Sequence, residues 1–85
     1  MVIIFFILYS KIIMRGNFLY RKLGEIIIIW RKRKNYSQEQ LALLSDVDRT
    51  YLARIEEGKA NPSIKTLHKI SRILRVKIRT LLKGL

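Results

Sequence analysis

Three helix-start signals in close succession, at Ser37, Asp48 and Ser63, constrain this chain more than any other feature. Gln40 stands three residues after Ser37. In that arrangement the serine hydroxyl accepts from the Gln40 backbone N–H, while the glutamine side chain accepts from the backbone N–H of Ser37. Asp48 precedes Leu52 and Ile55, and Ser63 follows the chain-breaking pair Asn61-Pro62. Helices that start this often are short. The stretch from Ser37 to Lys59 is predicted to hold two of them joined by a tight turn. The first ends near Ser45; the second runs from Asp48 to about Glu57, where Gly58 supplies a stop.

Upstream, Leu23, Ile27 and Trp30 recur at i, i+4 and i+7, which predicts a helix from about Tyr20 to Lys34 with those three toward a core. Asn35 ends it, because Asn tolerates the left-handed conformation of a C-terminal turn. Arg31, Lys32, Arg33 and Lys34 crowd its last turn, where the helix dipole favours positive charge. The run Ile26–Ile29 has the composition of a buried strand, but the capped helices around it leave it no partner strand, so it is assigned to the helix. Downstream, Ile64, Leu67, Ile70 and Leu74 keep a helical period. A fifth, short helix covers roughly Ile78 to Lys83. Leu41, Val47, Leu52 and Ile55 are expected in the same core. The expected fold is all-α: a five-helix bundle over residues 19–85, preceded by an apolar N-terminal extension, 1–18.

A chain of 85 residues makes one domain with a modest core. Eighteen basic and 6 acidic residues leave a formal charge of +12. That balance favours a polyanionic partner, nucleic acid first and an anionic membrane surface second. The chain has no cysteine, which rules out a disulfide framework and a thiolate metal site. The lone His68 argues against an imidazole metal site and is read as a partly exposed helix residue. No metal and no cofactor is expected. Val2 to Tyr9 is an unbroken apolar run, extended by Ile12, Ile13 and Met14. It is shorter than the about 20 apolar residues of a spanning helix, and Lys11 interrupts it. It also lacks the leading charge and the cleavage site of a secretory signal. Met14 offers a second start with every motif intact. The run is either an over-long reading frame or a segment that packs on the domain.

The pieces Ser37-Gln38-x-x-Leu41-Ala42, Val47, Tyr51-Leu52-x-x-Ile55-Glu56-x-Gly58 and Asn61-Pro62-Ser63-x-x-x-Leu67-x-x-Ile70 each carry little weight alone. In this order and spacing, from Leu23 to Leu82, the chain resembles the Cro and phage-repressor class of helix-turn-helix domains, the XRE family. Within it, Asp48-Arg49-Thr50-Tyr51 looks most like the controller proteins of restriction–modification systems. The resemblance implies a cytoplasmic transcriptional regulator that binds double-stranded DNA sequence-specifically. It implies a homodimer on a near-palindromic operator, with one recognition helix per half-site in the major groove. The controller likeness implies control of its own gene and of a restriction endonuclease gene, with RNA polymerase as a further candidate partner. A phage-type repressor or an antitoxin DNA-binding subunit is the nearest rival. A basic protein lying on a membrane surface is a more distant one.

At the start of the recognition helix, Arg49 and Thr50 are expected to project into the groove. Arg pairs bidentately with guanine O6 and N7; Thr contacts a base edge or a thymine methyl. The plainer reading of Arg49 is an exposed first-turn residue, although positive charge is mildly unfavourable there. Arg54, one turn on, is assigned to the bases, with phosphate as the alternative. Ser37, Gln38, Tyr51, Lys59, Asn61, Lys65 and Thr66 are assigned to the DNA backbone. By resemblance Gln38 also braces the recognition helix; helix N-termini hold phosphate in any case. Tyr51 either reaches a phosphate or packs. Glu39 either accepts from a cytosine amino group or is a solvent-exposed helix residue.

In the family, the positions of Arg31 and Glu56 form a largely buried ion pair tying helix 1 to the recognition helix, so Glu56 is expected to be structural. Asp46, Asp48 and Glu57 are then turn or cap residues. No nucleophile–base arrangement or glycine-rich phosphate loop appears, so no enzyme is expected. The family dimerises through its C-terminal helix, which points to Ile78, Leu81 and Leu82. Several positions depart from the family pattern. Asp46 stands at the usual turn glycine, Arg75 at a frequent helix-ending glycine, Lys77 at a small cap and Ala60 at a basic position. Ile26, Ile28 and Ile29 are apolar on an outer face of helix 1 that the family normally keeps polar, and Leu43 and Leu44 add apolar surface on helix 2. The N-terminal extension is expected to cover them, with a dimer contact or membrane association as the alternatives.

Overall fold

Leu19, Leu23 and Ile27 recur every four residues and are at most 3% exposed, so one face of the first helix belongs wholly to the core. A computed structural model of the chain describes residues 17–83. Among these residues there are five helices and no strand: α1 (Asn17–Arg33), α2 (Gln38–Ser45), α3 (Arg49–Glu56), α4 (Ile64–Leu74) and α5 (Ile78–Leu82). α1 packs on α3 and α5, α2 on α3 and α4, and α4 on α5. The N-terminal extension and its covering role lie outside the described residues, save for its last two, Asn17 and Phe18. These belong to α1, which starts ahead of the expected Tyr20 because Leu19 lengthens its apolar stripe. The expected boundary between residues 18 and 19 therefore falls inside a helix.

The local signals act as capping chemistry requires. Ser37 Oγ accepts from the Gln40 N–H at 3.0 Å, and Gln40 Oε1 accepts from the Ser37 N–H at 2.8 Å. Asp48 Oδ2 accepts from the Tyr51 N–H at 3.2 Å, and Ser63 Oγ from the Thr66 N–H at 3.1 Å. Lys77 precedes α5 without a side-chain cap. Asn35 (φ 61°), Asp46 (φ 57°) and Arg75 (φ 59°) all take the left-handed conformation after a helix. Asp46 and Arg75 thus hold the turns where glycine was the expected family residue; the cost is small at Asp46, since Asp tolerates this region, and about 1–2 kcal/mol at Arg75. Lys69 Nζ steadies the first of these turns by donating to the Asp46 carbonyl at 3.4 Å.

Leu41, Leu52, Ile55, Leu67, Ile70 and Leu74 join the α1 stripe in the core. Each buried aliphatic side chain contributes about 1.5–3 kcal/mol. Burial is graded at the edges of the core, where Trp30 packs as expected, and one expectation changes. Trp30 is half-buried at the edge of the core, with the Arg33 guanidinium 5.1 Å and the Lys34 ammonium 5.9 Å from its ring centroid. Ile64 is 39% exposed, because the first residue of α4 projects beyond the packed stripe. Leu81 (0% exposed) and Leu82 (9%) belong to the core of the protomer, where α5 closes on α1 and α4. Leu81 therefore has no surface to offer a second copy and Leu82 has little, whereas Ile78 stays half-exposed.

Close approach of α1 to the end of α3 rests on two glycines. A Cβ on Gly24 would sit 2.5 Å from the carbonyl oxygens of Ile55 and Glu56. Gly58, at φ +76°, passes so near α1 that a Cβ would lie 2.5 Å from Arg21 Cα. A glycine within a helix costs about 1 kcal/mol relative to alanine. Here it lets one backbone lie against another.

Candidate nucleic-acid interface

α3 has only eight residues, too few to be stable as an isolated helix. Its position is imposed from behind. Glu56 in its last turn is 5% exposed and accepts three hydrogen bonds. Arg31 Nε donates to Oε2 at 2.8 Å, Arg31 Nη2 to Oε1 at 3.1 Å, and Gln38 Nε2 to Oε1 at 3.0 Å. Arg31 Nη1 donates to the Tyr36 carbonyl at 3.0 Å. One carboxylate thereby joins α1, the start of α2 and the end of α3. Among the described residues no buried side-chain polar atom lacks a partner. The forked guanidinium–carboxylate geometry fixes orientation as well as distance.

With its rear anchored, α3 presents its N-terminal residues to solvent. Arg49 and Thr50 are exposed in the first turn, behind the Asp48 cap. Arg49 Nη1 lies 3.3 Å from Glu39 Oε1, and the two side chains are 61% and 71% exposed. The start of α3 therefore lies against the first turn of α2. Arg54 is exposed, but its Nη2 donates to the Lys59 carbonyl at 3.1 Å, closing the turn after α3. Its remaining N–H groups are available to a base or a phosphate while that bond is kept.

The residues assigned to the DNA backbone fall into two groups. Ser37 is the exposed cap of α2; its oxygen accepts one bond, and its hydroxyl proton can still be donated outward. Gln38 and Tyr51 are half-buried, and Gln38 spends one amide hydrogen on Glu56. Lys59, Asn61 and Lys65 are exposed on the link to α4 and in its first turn. The Lys59 ammonium is 3.9 Å from the Glu57 carboxylate. Thr66 is half-buried, and its Oγ1 accepts from the Ser63 hydroxyl at 3.0 Å. His68 is exposed on α4. Sequence reasoning passed over Gly24, whose signal was present: a glycine inside a helix otherwise made of large side chains. It also did not pair Glu39 with Arg49, since nothing local links a residue early in one helix to the start of the next.

A short helix locked at its C-terminal end by a buried carboxylate, with its N-terminal arginine and threonine turned outward beside a second helix, defines a helix-turn-helix domain. Residues 27–81 match the helix-turn-helix family, and the chain belongs to its XRE type, a family of DNA-binding transcriptional regulators. The chain is 47% identical over 57 residues to the HTH-type transcriptional regulator SlrR of Bacillus subtilis, an alignment covering 66% of this chain and 38% of SlrR. It thus spans well under half the length of that relative. The crystal structure of the restriction–modification controller protein C.AhdI from Aeromonas hydrophila is similar, with a TM-score of 0.72 and 35% identity. That match covers 73% of this chain and 94% of C.AhdI. The controller protein C.Esp1396I bound to a 25 base pair operator site matches with a TM-score of 0.68 and 35% identity, covering 78% of this chain and 87% of that one.

Proposed function

We propose that this protein is a sequence-specific transcriptional regulator that binds double-stranded DNA as a homodimer. On this reading α3 enters the major groove N-terminus first, once per half-site of a near-palindromic operator. The observation that carries it is the polarity of α3: the end holding Glu56 is buried and bonded, while the end holding Arg49 and Thr50 is open. Arg49 reads guanine and Thr50 a neighbouring base edge. Arg54 adds a third base contact through the N–H groups that the Lys59 carbonyl does not take. Ser37, Gln38, Tyr51, Lys59, Asn61, Lys65 and Thr66 hold the phosphates. The formal charge of +12 supplies the attraction to a polyanion. Similarity to two controller proteins, one in complex with an operator, supports an autoregulator of the restriction–modification type. That role implies a cytoplasmic protein that binds rather than catalyses, with RNA polymerase as the machinery it influences. Of the three α5 residues expected at a dimer contact, Ile78 is the one with side-chain surface to give. The DNA-binding unit begins at the start of α1.

The test is a selection of bound sites from random duplex DNA with the full chain and its Arg49→Ala variant. A two-fold symmetric enriched site, degraded at one position per half-site by the substitution, supports the proposal. Enrichment of no site by a chain with intact helical circular dichroism would sink it.

A further inference from the structure

Glu39 is an acidic residue against the part of the surface that the proposed function gives to DNA. A carboxylate facing phosphates repels them, and only 6 acidic residues stand against 18 basic ones in this chain. Its place in the first turn of α2 offers one benefit, since negative charge is favoured at a helix N-terminus. Geometry supplies a second. Glu39 Oε1 lies 3.3 Å from Arg49 Nη1, across the turn that joins α2 to α3, and both groups are open to solvent. Ser37 and Gln40 satisfy each other in the capping box at the same end of α2, which leaves the Glu39 side chain free of that role.

An arginine on the first turn of a recognition helix has a long, flexible stem and many rotamers. Unrestrained, it is free to pair with any nearby phosphate, a contact that carries no sequence information. A carboxylate 3.3 Å from Nη1 biases those rotamers through its charge and leaves the remaining N–H groups to meet a base edge. We infer that Glu39 is a positioning and specificity-determining residue: it holds Arg49 for base reading, at some expense in general affinity for DNA. The inference rests on the DNA-reading function proposed above.

The experiment is the same selection from random duplex DNA, extended to four full-length proteins: wild type, Glu39→Gln, Arg49→Ala and the double variant. Wild type and Glu39→Gln are expected to enrich the same site. At the position Arg49 reads, the ratio of preferred to next-best base should fall about fivefold in Glu39→Gln, the low end of what one base contact contributes. Affinity for duplex DNA lacking the site should rise about twofold, as one like charge is removed near the phosphates. Arg49→Ala and the double variant should share one preference, because Glu39 acts only through Arg49. An enriched site unaltered by Glu39→Gln would overturn this inference and leave the operator reading standing. A preference that shifts on Glu39→Gln in the Arg49→Ala background as well would also overturn it, making Glu39 a direct base contact. Enrichment of no site by wild type would overturn the operator reading and this inference together.

Discussion

Glu56 joins three parts of the molecule through one side chain, so its loss is felt beyond α3. Replacing it by Ala would leave the Arg31 guanidinium, 13% exposed, without its carboxylate. A buried pair broken in this way costs about 3–5 kcal/mol, even where the intact pair adds little net stability. Urea unfolding of Glu56→Ala should show a midpoint lowered to match, with an unchanged slope. Gly24→Ala should be costly for a different reason. The new methyl meets two backbone carbonyls at 2.5 Å, so α1 has to lift from α3. A loss of about 1–3 kcal/mol is expected, as for other overpacked sites, measurable in the same unfolding experiment. At the surface the outcome reverses. Arg49→Ala should leave stability nearly unchanged but weaken operator binding by about 1–3 kcal/mol and relax preference at one base position, readable by titrating single-base operator variants. The role of Glu56 follows from a family resemblance, since Arg31 and Glu56 meet only after folding. Gly24 was not singled out, because the carbonyls it accommodates belong to the far end of another helix.

At the scale of elements, the capping residues carry most of what is local. Ser37, Asp48 and Ser63 each bond the N–H three residues on, and each contact forms within a single turn of chain. Helix starts were therefore legible before any packing was known. Ser63→Ala should cost about 1 kcal/mol by thermal or urea unfolding, the usual cost of losing such a cap. The C-terminal ends are less economical. Arg75 closes α4 in the left-handed conformation at φ 59°. Glycine relieves that strain but gives the unfolded chain more freedom. Arg75→Gly should therefore stabilise the protein by up to about 1 kcal/mol, detectable as a raised melting temperature. The extent of α1 was the poorest boundary. Its described part begins at Asn17, ahead of the expected Tyr20, with the apolar stripe continuing through Leu19.

For the whole molecule, charge and buried shape answer different questions. The excess of 12 positive charges predicts a strong dependence of DNA affinity on salt, through release of counterions from the phosphates. Lys65→Ala should weaken binding to operator and random duplex alike, and lower the slope of log K against log salt by about one. Titrations at several salt concentrations check this directly. The same charge does not decide which helix faces the DNA. The proposal that α3 faces the DNA rests instead on the buried network at one end of α3 and the open residues at the other.

What the residue order determined by itself was the number of helices, most of their limits and the family. Capping boxes, helix-ending turns and apolar periodicity depend on neighbours a few positions apart, so they can be read without knowing what the helices touch. The tertiary structure alone decided which apolar residues the core would take. It buried Leu81, drew Leu19 into the stripe, and left Ile64 at its edge. It also brought Glu39 to Arg49 and set Gly24 against the end of α3. These outcomes depend on which faces of the five helices meet, a choice made by the joint fit of all the side chains and encoded in no single stretch of the chain.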